Sequence, residues 1–170
     1  LQHLLDMQAQ SIRFGSVHFM APAMSTEMFR TTILPKIQPG GCPVPSLFML
    51  SDAAELADCV GPYGKSLLYL VSNAFEGVRG KPILGMEKFV AADSALRALF
   101  ERRTANRHPS VVIATKALPT GDPDPFSASH SETHGGFDND PATLNSILRR
   151  IIEPKDGKLA REFTSRDLQY

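Results

Sequence analysis

The sequence predicts an α/β domain in which parallel strands alternate with helices. Short apolar runs suited to buried strands recur at "SVHFMAP", "SLFML" and "SVVIAT". Helical patterns with one apolar face lie between and after them. No internal repeat breaks the alternation, and strands read as continuous apolar runs when both faces of a sheet are covered. A chain of 170 residues suits one compact domain with a substantial core.

The chain opens on "LQHLLDMQAQ", where Leu1, Leu4 and Leu5 have helical spacing but no capping residue precedes them, so residues upstream are expected. The first strand is expected near residues 16 to 20, ended by Pro22. In "STEMFRTTILPKI", Ser25 or Thr26 can cap a helix, Glu27 suits its positive end, and Met28, Phe29, Thr32 and Ile33 form one face. Pro35 should end or bend that helix. "QPGGCPVP" excludes regular structure, and a second strand follows near 46 to 50. "AAELADCV" predicts one or two helical turns, and "GKSLLYLVSNAFEG" a mostly buried helix through Leu67, Leu68, Leu70, Val71, Ala74 and Phe75. In "DSALRALFERR", Asp93 or Ser94 caps a helix whose Leu96, Leu99 and Phe100 face inward. The third strand is expected near 111 to 115, and then a turn-rich loop, "LPTGDPDPFSAS", which could serve as a lid or only as a polar connection. Asp140 and Pro141 mark a strong helix start, and Leu144, Ile147, Leu148 and Ile151 repeat at helical spacing. Residues 1–153 form the expected domain, and residues 154–170 a polar tail.

Composition narrows the partners. Lys plus Arg and Asp plus Glu each number 18, and no block of like charge is present to attract nucleic acid or an anionic membrane. No apolar run approaches the ~20 residues that cross a bilayer. Cys42 and Cys59 have neither metal-ligand nor disulfide-scaffold spacing, which fits a cytoplasmic chain with free thiols. A small neutral molecule is the expected partner.

Two residues are candidates for chemistry. In parallel sheets ligands bind beyond the carboxyl ends of the strands. Asp52 follows "SLFML" just after Ser51, and His134 lies in the loop after "SVVIAT", beside Gly135 and Gly136. Aspartate and then histidine is the end of the order serine, acid, histidine used by α/β-hydrolases. The histidine would take the nucleophile's proton, and the carboxylate would fix its tautomer. Asp52 also suits a helix N-cap, and His134 also suits a loop histidine bonded to a backbone carbonyl. A zinc reading of His130, Glu132 and His134 is weaker, because the glutamate stands one place late for HExxH and the glycine pair opposes a helix. Helix capping accounts for Asp138 and Asp140 without calcium. His18 is expected to be a satisfied core histidine, and His3 and His108 surface residues.

"VHFMAPAMSTEMFRTTILPKI", "LFMLSDAAELAD", "KSLLYLVSNAFEG", "KPILGMEKFV" and "SETHGGFDNDPATLNSIL" together resemble the C-terminal half of a group of bacterial, esterase-like α/β-hydrolases. The resemblance covers most of residues 14 to 150. It implies a serine hydrolase acting on an ester or related acyl bond through an acyl-enzyme, with Asp52 as triad acid, His134 as base and no cofactor. The family's nucleophile sits in a GxSxG-like elbow, which is absent here, so the resemblance places that serine, and the N-terminal half carrying it, upstream. "GKSLL" around Ser66 has neither the preceding strand nor the order that an elbow requires. These residues alone are therefore expected to be inactive. A hydrolase scaffold kept for partner binding is the rival expectation.

Overall fold

The computed structural model describes residues 14–37, 42–59, 61–101, 108–115 and 124–168. The expected N-terminal helix lies outside them, as does most of the turn-rich loop after the third strand. Strand β1 (His18–Met20) leads through Ser25, which caps helix α1 (Thr26–Met28) by accepting from the Met28 amide at 3.2 Å. The helix widens into a π-helical segment (Phe29–Ile33) and continues as α2 (Leu34–Ile37). Pro35 therefore does not end it. The wide turn just before Pro35 pairs the Leu34 amide with Phe29 O, and this looser winding is where a helix can take up a residue that clashes with the preceding turn. Phe29, Ile33 and Ile37, four apart, form the buried face.

Strand β2 (Ser46–Leu50) is buried at every position. It is the central strand, flanked in parallel by β1 and by β3 (Val111–Ala114), with Phe48 opposite both Met20 and Val112. The α/β class and the three parallel strands agree with expectation. Between β2 and β3 lie α3 (Asp52–Ala57), a 3-10 turn (Gly61–Tyr63), α4 (Leu67–Leu70) with a second π-helical segment (Val71–Phe75), α5 (Glu87–Ala92) and α6 (Ser94–Glu101). Asp93 caps α6 through the Ala95 and Leu96 amides. A 3-10 turn (His134–Asn139) and helix α7 (Pro141–Ile152) follow β3.

Alternation along β2 divides the core in two. Leu47 and Met49 pack with Phe29, Ile33, Leu84, Val90, Leu96 and Phe100 on one face. Phe48 and Leu50 pack with Leu68, Ile83, Met86 and Phe137 on the other. Ile83–Met86 is fastened to the segment after β1: Leu84 N–H donates to Met24 O at 2.9 Å and Gly85 N–H to Pro22 O at 3.0 Å. A side chain at Gly85 would sit 2.6 Å from Pro22 O, so only glycine permits this approach.

Two helices depart from expectation. Leu68, Tyr69 and Ser72 are the buried residues of the α4 segment, whereas Phe75 is 69% exposed. Ser72 O accepts from the Gly80 and Lys81 amides, and its hydroxyl donates to Lys81 O, which fixes the chain's return there and leaves Phe75 beyond the packed region. On α7 the buried residues are Thr143, Asn145, Ser146, Arg149 and Arg150, while Ile151 and Ile152 are exposed. That polar face is satisfied by specific bonds. Arg150 donates to Phe126 O, Pro109 O and the Ser46 and Ser127 hydroxyls. Asn145 exchanges two hydrogen bonds with the Phe163 backbone, so the charged tail folds back on α7. Among the described residues no helix is long and apolar enough to cross a membrane.

Candidate functional site

The rim at the carboxyl ends of β2 and β3 gathers the chemistry-bearing side chains. Ser51 caps α3 by accepting from the Ala54 amide at 3.2 Å, so Asp52 is the first helical residue and not the cap. The Asp52 amide donates to Glu87 Oε2 at 2.9 Å. Its Oδ1 accepts from the Tyr69 hydroxyl at 3.1 Å and lies 3.9 Å from Lys88 Nζ. Lys88 also donates to the Tyr69 hydroxyl at 2.6 Å and stands 3.9 Å above the Tyr69 ring. Asp52 thus belongs to a small network with Tyr69 and Lys88.

Glu55 comes one turn further along α3, and Asp58 just past its end. Glu55 is fully buried and accepts from the Ser66 hydroxyl, while its Oε1 has no partner among the described residues. Burial raises its pKa, against the Ser66 hydrogen bond, and the neighbouring Asp58 and Asp52 charges push it the same way as burial. Ser66 is equally buried and caps α4 through the Tyr69 amide. It is neither exposed nor preceded by a strand, and has no access to a substrate.

His134 begins the 3-10 turn. The chain reaches it through Ser129, whose carbonyl accepts from the Thr115 amide at the end of β3, and through Ser131, whose hydroxyl donates to Thr133 O. Phe137, 2% exposed, anchors the turn in the core beneath β2. A side chain at Gly136 would meet the Ser131 hydroxyl at 2.8 Å, so this glycine serves close approach, while neither it nor Gly135 has a positive φ. The His134 amide donates to Asp58 Oδ2 at 2.9 Å. The ring is half-buried, and its Nδ1 is shielded from solvent without a hydrogen-bond partner among the described residues. Burial lowers the pKa of His134, and the Asp58 charge partly offsets that. A neutral imidazole at neutral pH, the form a general base requires, follows from this environment.

Asp52 and His134 occupy the same rim, but no hydrogen bond or ion pair joins them among the described residues. The carboxylate that faces His134 is that of Asp58. Sequence reasoning overlooked it; the available signal was its place six residues after Asp52 on one short helix, which repeats the carboxylates at i, i+3 and i+6. His130 and Glu132 do not join His134 in a metal cluster. The His130 amide donates to Asp140 Oδ2 at 2.6 Å, and among the described residues no group of three His, Cys, Asp or Glu side chains could hold a metal ion. His18, expected to be a satisfied core histidine, is half-buried on β1 and not satisfied: neither ring nitrogen has a partner among the described residues. Comparison with known protein families, curated proteins and solved structures finds no match to the chain.

Proposed function

We propose that this chain contributes the histidine half of a serine-hydrolase site that cleaves an ester or related acyl bond. The observation carrying the proposal is the position of His134: a half-buried imidazole at the carboxyl end of a parallel sheet, held by an amide-to-carboxylate bond to Asp58. In the reaction, a serine hydroxyl from outside these residues attacks the acyl carbon. His134 takes the hydroxyl proton and returns it to the leaving alkoxide, giving an alcohol and the acyl-enzyme. Water then attacks the acyl carbon, its proton passes through His134 to the serine, and the carboxylic acid leaves. Helix α3 supplies the carboxylates at the site, Asp52 at its head and Asp58 just past its end. No cofactor takes part in this scheme.

The unpartnered Nδ1 favours a second reading, a hydrolase scaffold that binds a partner without turnover. A fluorophosphonate probe applied to the full-length protein separates the two. Covalent labelling of a serine, with ester turnover lost in His134→Ala and the fold retained by circular dichroism, is expected of the enzyme. An unlabelled protein, or a His134→Ala variant with unchanged turnover, overturns the hydrolase reading.

A further inference from the structure

We infer that Asp58, and not Asp52, is the carboxylate that positions His134. The inference rests on the hydrolase reading for its consequence in catalysis, but the coupling between the two residues is a property of the fold itself. Asp58 is the residue after α3, where its amide still bonds back to Ala54 O at 2.8 Å, so its side chain starts from a fixed point. From there its Oδ2 accepts the His134 amide at 2.9 Å across 76 residues of sequence. Its second oxygen has no hydrogen bond within the described residues, where the carboxylate meets His134 at the backbone amide and forms no ion pair with the ring. The one buried ring nitrogen without a partner on the same residue is Nδ1, the atom through which a carboxylate selects the tautomer that leaves Nε2 free to accept a proton.

Asp52 is differently occupied. Its Oδ1 is taken up by the Tyr69 hydroxyl with Lys88 alongside, and a cation beside a carboxylate reduces the field it projects onto a distant imidazole. The other elements against His134 offer no competing charge. Strand β2 presents only Ser46, Leu47, Phe48, Met49 and Leu50. Asp140, at the head of α7, is engaged by the Ala142, Thr143 and His130 amides. Arg149 turns to Gly157 O and Glu162, and Arg150 to Phe126 O and Pro109 O. Asp58 is thus the carboxylate bonded directly to the His134 backbone, and its charge opposes the effect of burial on the ring. It would act through His134 and touch no substrate, so it is a positioning residue.

The test compares Asp58→Asn with Asp52→Asn in the intact protein, following the His134 ring by NMR as pH is varied. Asparagine can still accept the His134 amide, so the loop keeps its anchor while the charge is removed. The expected result is a lower His134 pKa in Asp58→Asn, because the carboxylate charge that raises it is gone, with no change in Asp52→Asn. If the protein turns over an ester, the acid limb of its pH profile should move down with that pKa, and the plateau rate should drop by roughly 10²- to 10⁴-fold. In the unsubstituted protein, the His134 amide proton should shift as Asp58 is protonated, a readout that does not depend on a variant folding. An unmoved His134 titration in Asp58→Asn, a larger shift in Asp52→Asn, or an amide indifferent to acid would each overturn the assignment. Absence of esterase activity and of probe labelling would instead remove the hydrolase reading and leave the coupling standing.

Discussion

Acidification should unfold this protein partly through His18. The ring sits on β1 with both nitrogens shielded and unpartnered, beside a cavity of about 80 Å³ that it shares with Arg150. Burial first, and the Arg150 charge second, hold its pKa down from 6.5 to about 4. The sign follows from comparing the two states. Between those values the unfolded chain binds a proton that the folded protein refuses, so stability falls as pH falls through that window and is fully present above it. At pH 5 the linkage is about 2 kcal/mol, and solvent screening at the open side of the half-buried ring reduces it to roughly 1–2 kcal/mol. The assay is urea unfolding of the wild type and His18→Leu at pH 7 and pH 5. Other titrating groups contribute almost equally to both proteins, including His134, with the same sign, and Glu55, with the opposite one. Taking the difference between the two proteins isolates His18. The wild type should lose about 1–2 kcal/mol more than the variant over this interval. Equal losses in the two would show that the ring finds an acceptor or protonates freely in the fold, and would refute the reasoning.

Two further substitutions probe the supports of the rim. Gly85→Ala places a methyl group 2.6 Å from Pro22 O and 2.8 Å from the Ala21 carbonyl carbon, both backbone atoms of a segment that is itself hydrogen-bonded to Gly85. Displacing that backbone should cost about 1–3 kcal/mol in chemical denaturation, and an unchanged midpoint would mean the segment yields freely. Asp140→Ala removes a cap that serves the Ala142 and Thr143 amides and also holds the His130 amide and the Thr143 hydroxyl. A loss of about 2 kcal/mol is expected, above that of an ordinary cap because the His130 amide is left without its acceptor. A loss no greater than about 0.5 kcal/mol would show that water replaces the carboxylate.

Much of the scaffold was legible from residue patterns because local physics determined it. Uninterrupted apolar runs marked β1, β2 and β3, and the caps Ser25, Asp93 and Asp140 stand where side-chain oxygens can meet free helix amides. The failures share a cause. Leu144, Ile147, Leu148 and Ile151 repeat at helical spacing, yet α7 buries a neighbouring face made of Thr143, Asn145, Ser146, Arg149 and Arg150. Hydrophobic periodicity cannot see that face, because its stabilisation comes from hydrogen bonds to carbonyls of distant loops. The exposure of Phe75 is equally non-local, since it depends on where Ser72 meets Gly80 and Lys81. At the candidate site, strand-end position pointed to Asp52 and His134, and both lie on the rim. Which carboxylate bonds the His134 backbone is decided by the six residues of α3, over which the side chains of Asp52 and Asp58 diverge to different partners.

The polar underside of α7 has a consequence for the loop that carries His134. Ser146 donates to Pro125 O and Ala128 O, the Ser129 and Thr143 hydroxyls pair at 2.7 Å, and Asp140 holds the His130 amide. The stretch from 125 to 130 is therefore fastened at successive residues by directional bonds. Apolar packing would hold the same segment with little preference for its exact rotation, because burial is non-directional. An imidazole used as a base must be oriented to within a fraction of an ångström, and a loop is precise enough only when its backbone is fixed in this way. The buried hydroxyls and guanidinium of α7, which look misplaced as core residues, are explained by these bonds, which fix the backbone leading to His134 and would serve the orientation that the proposed base role requires.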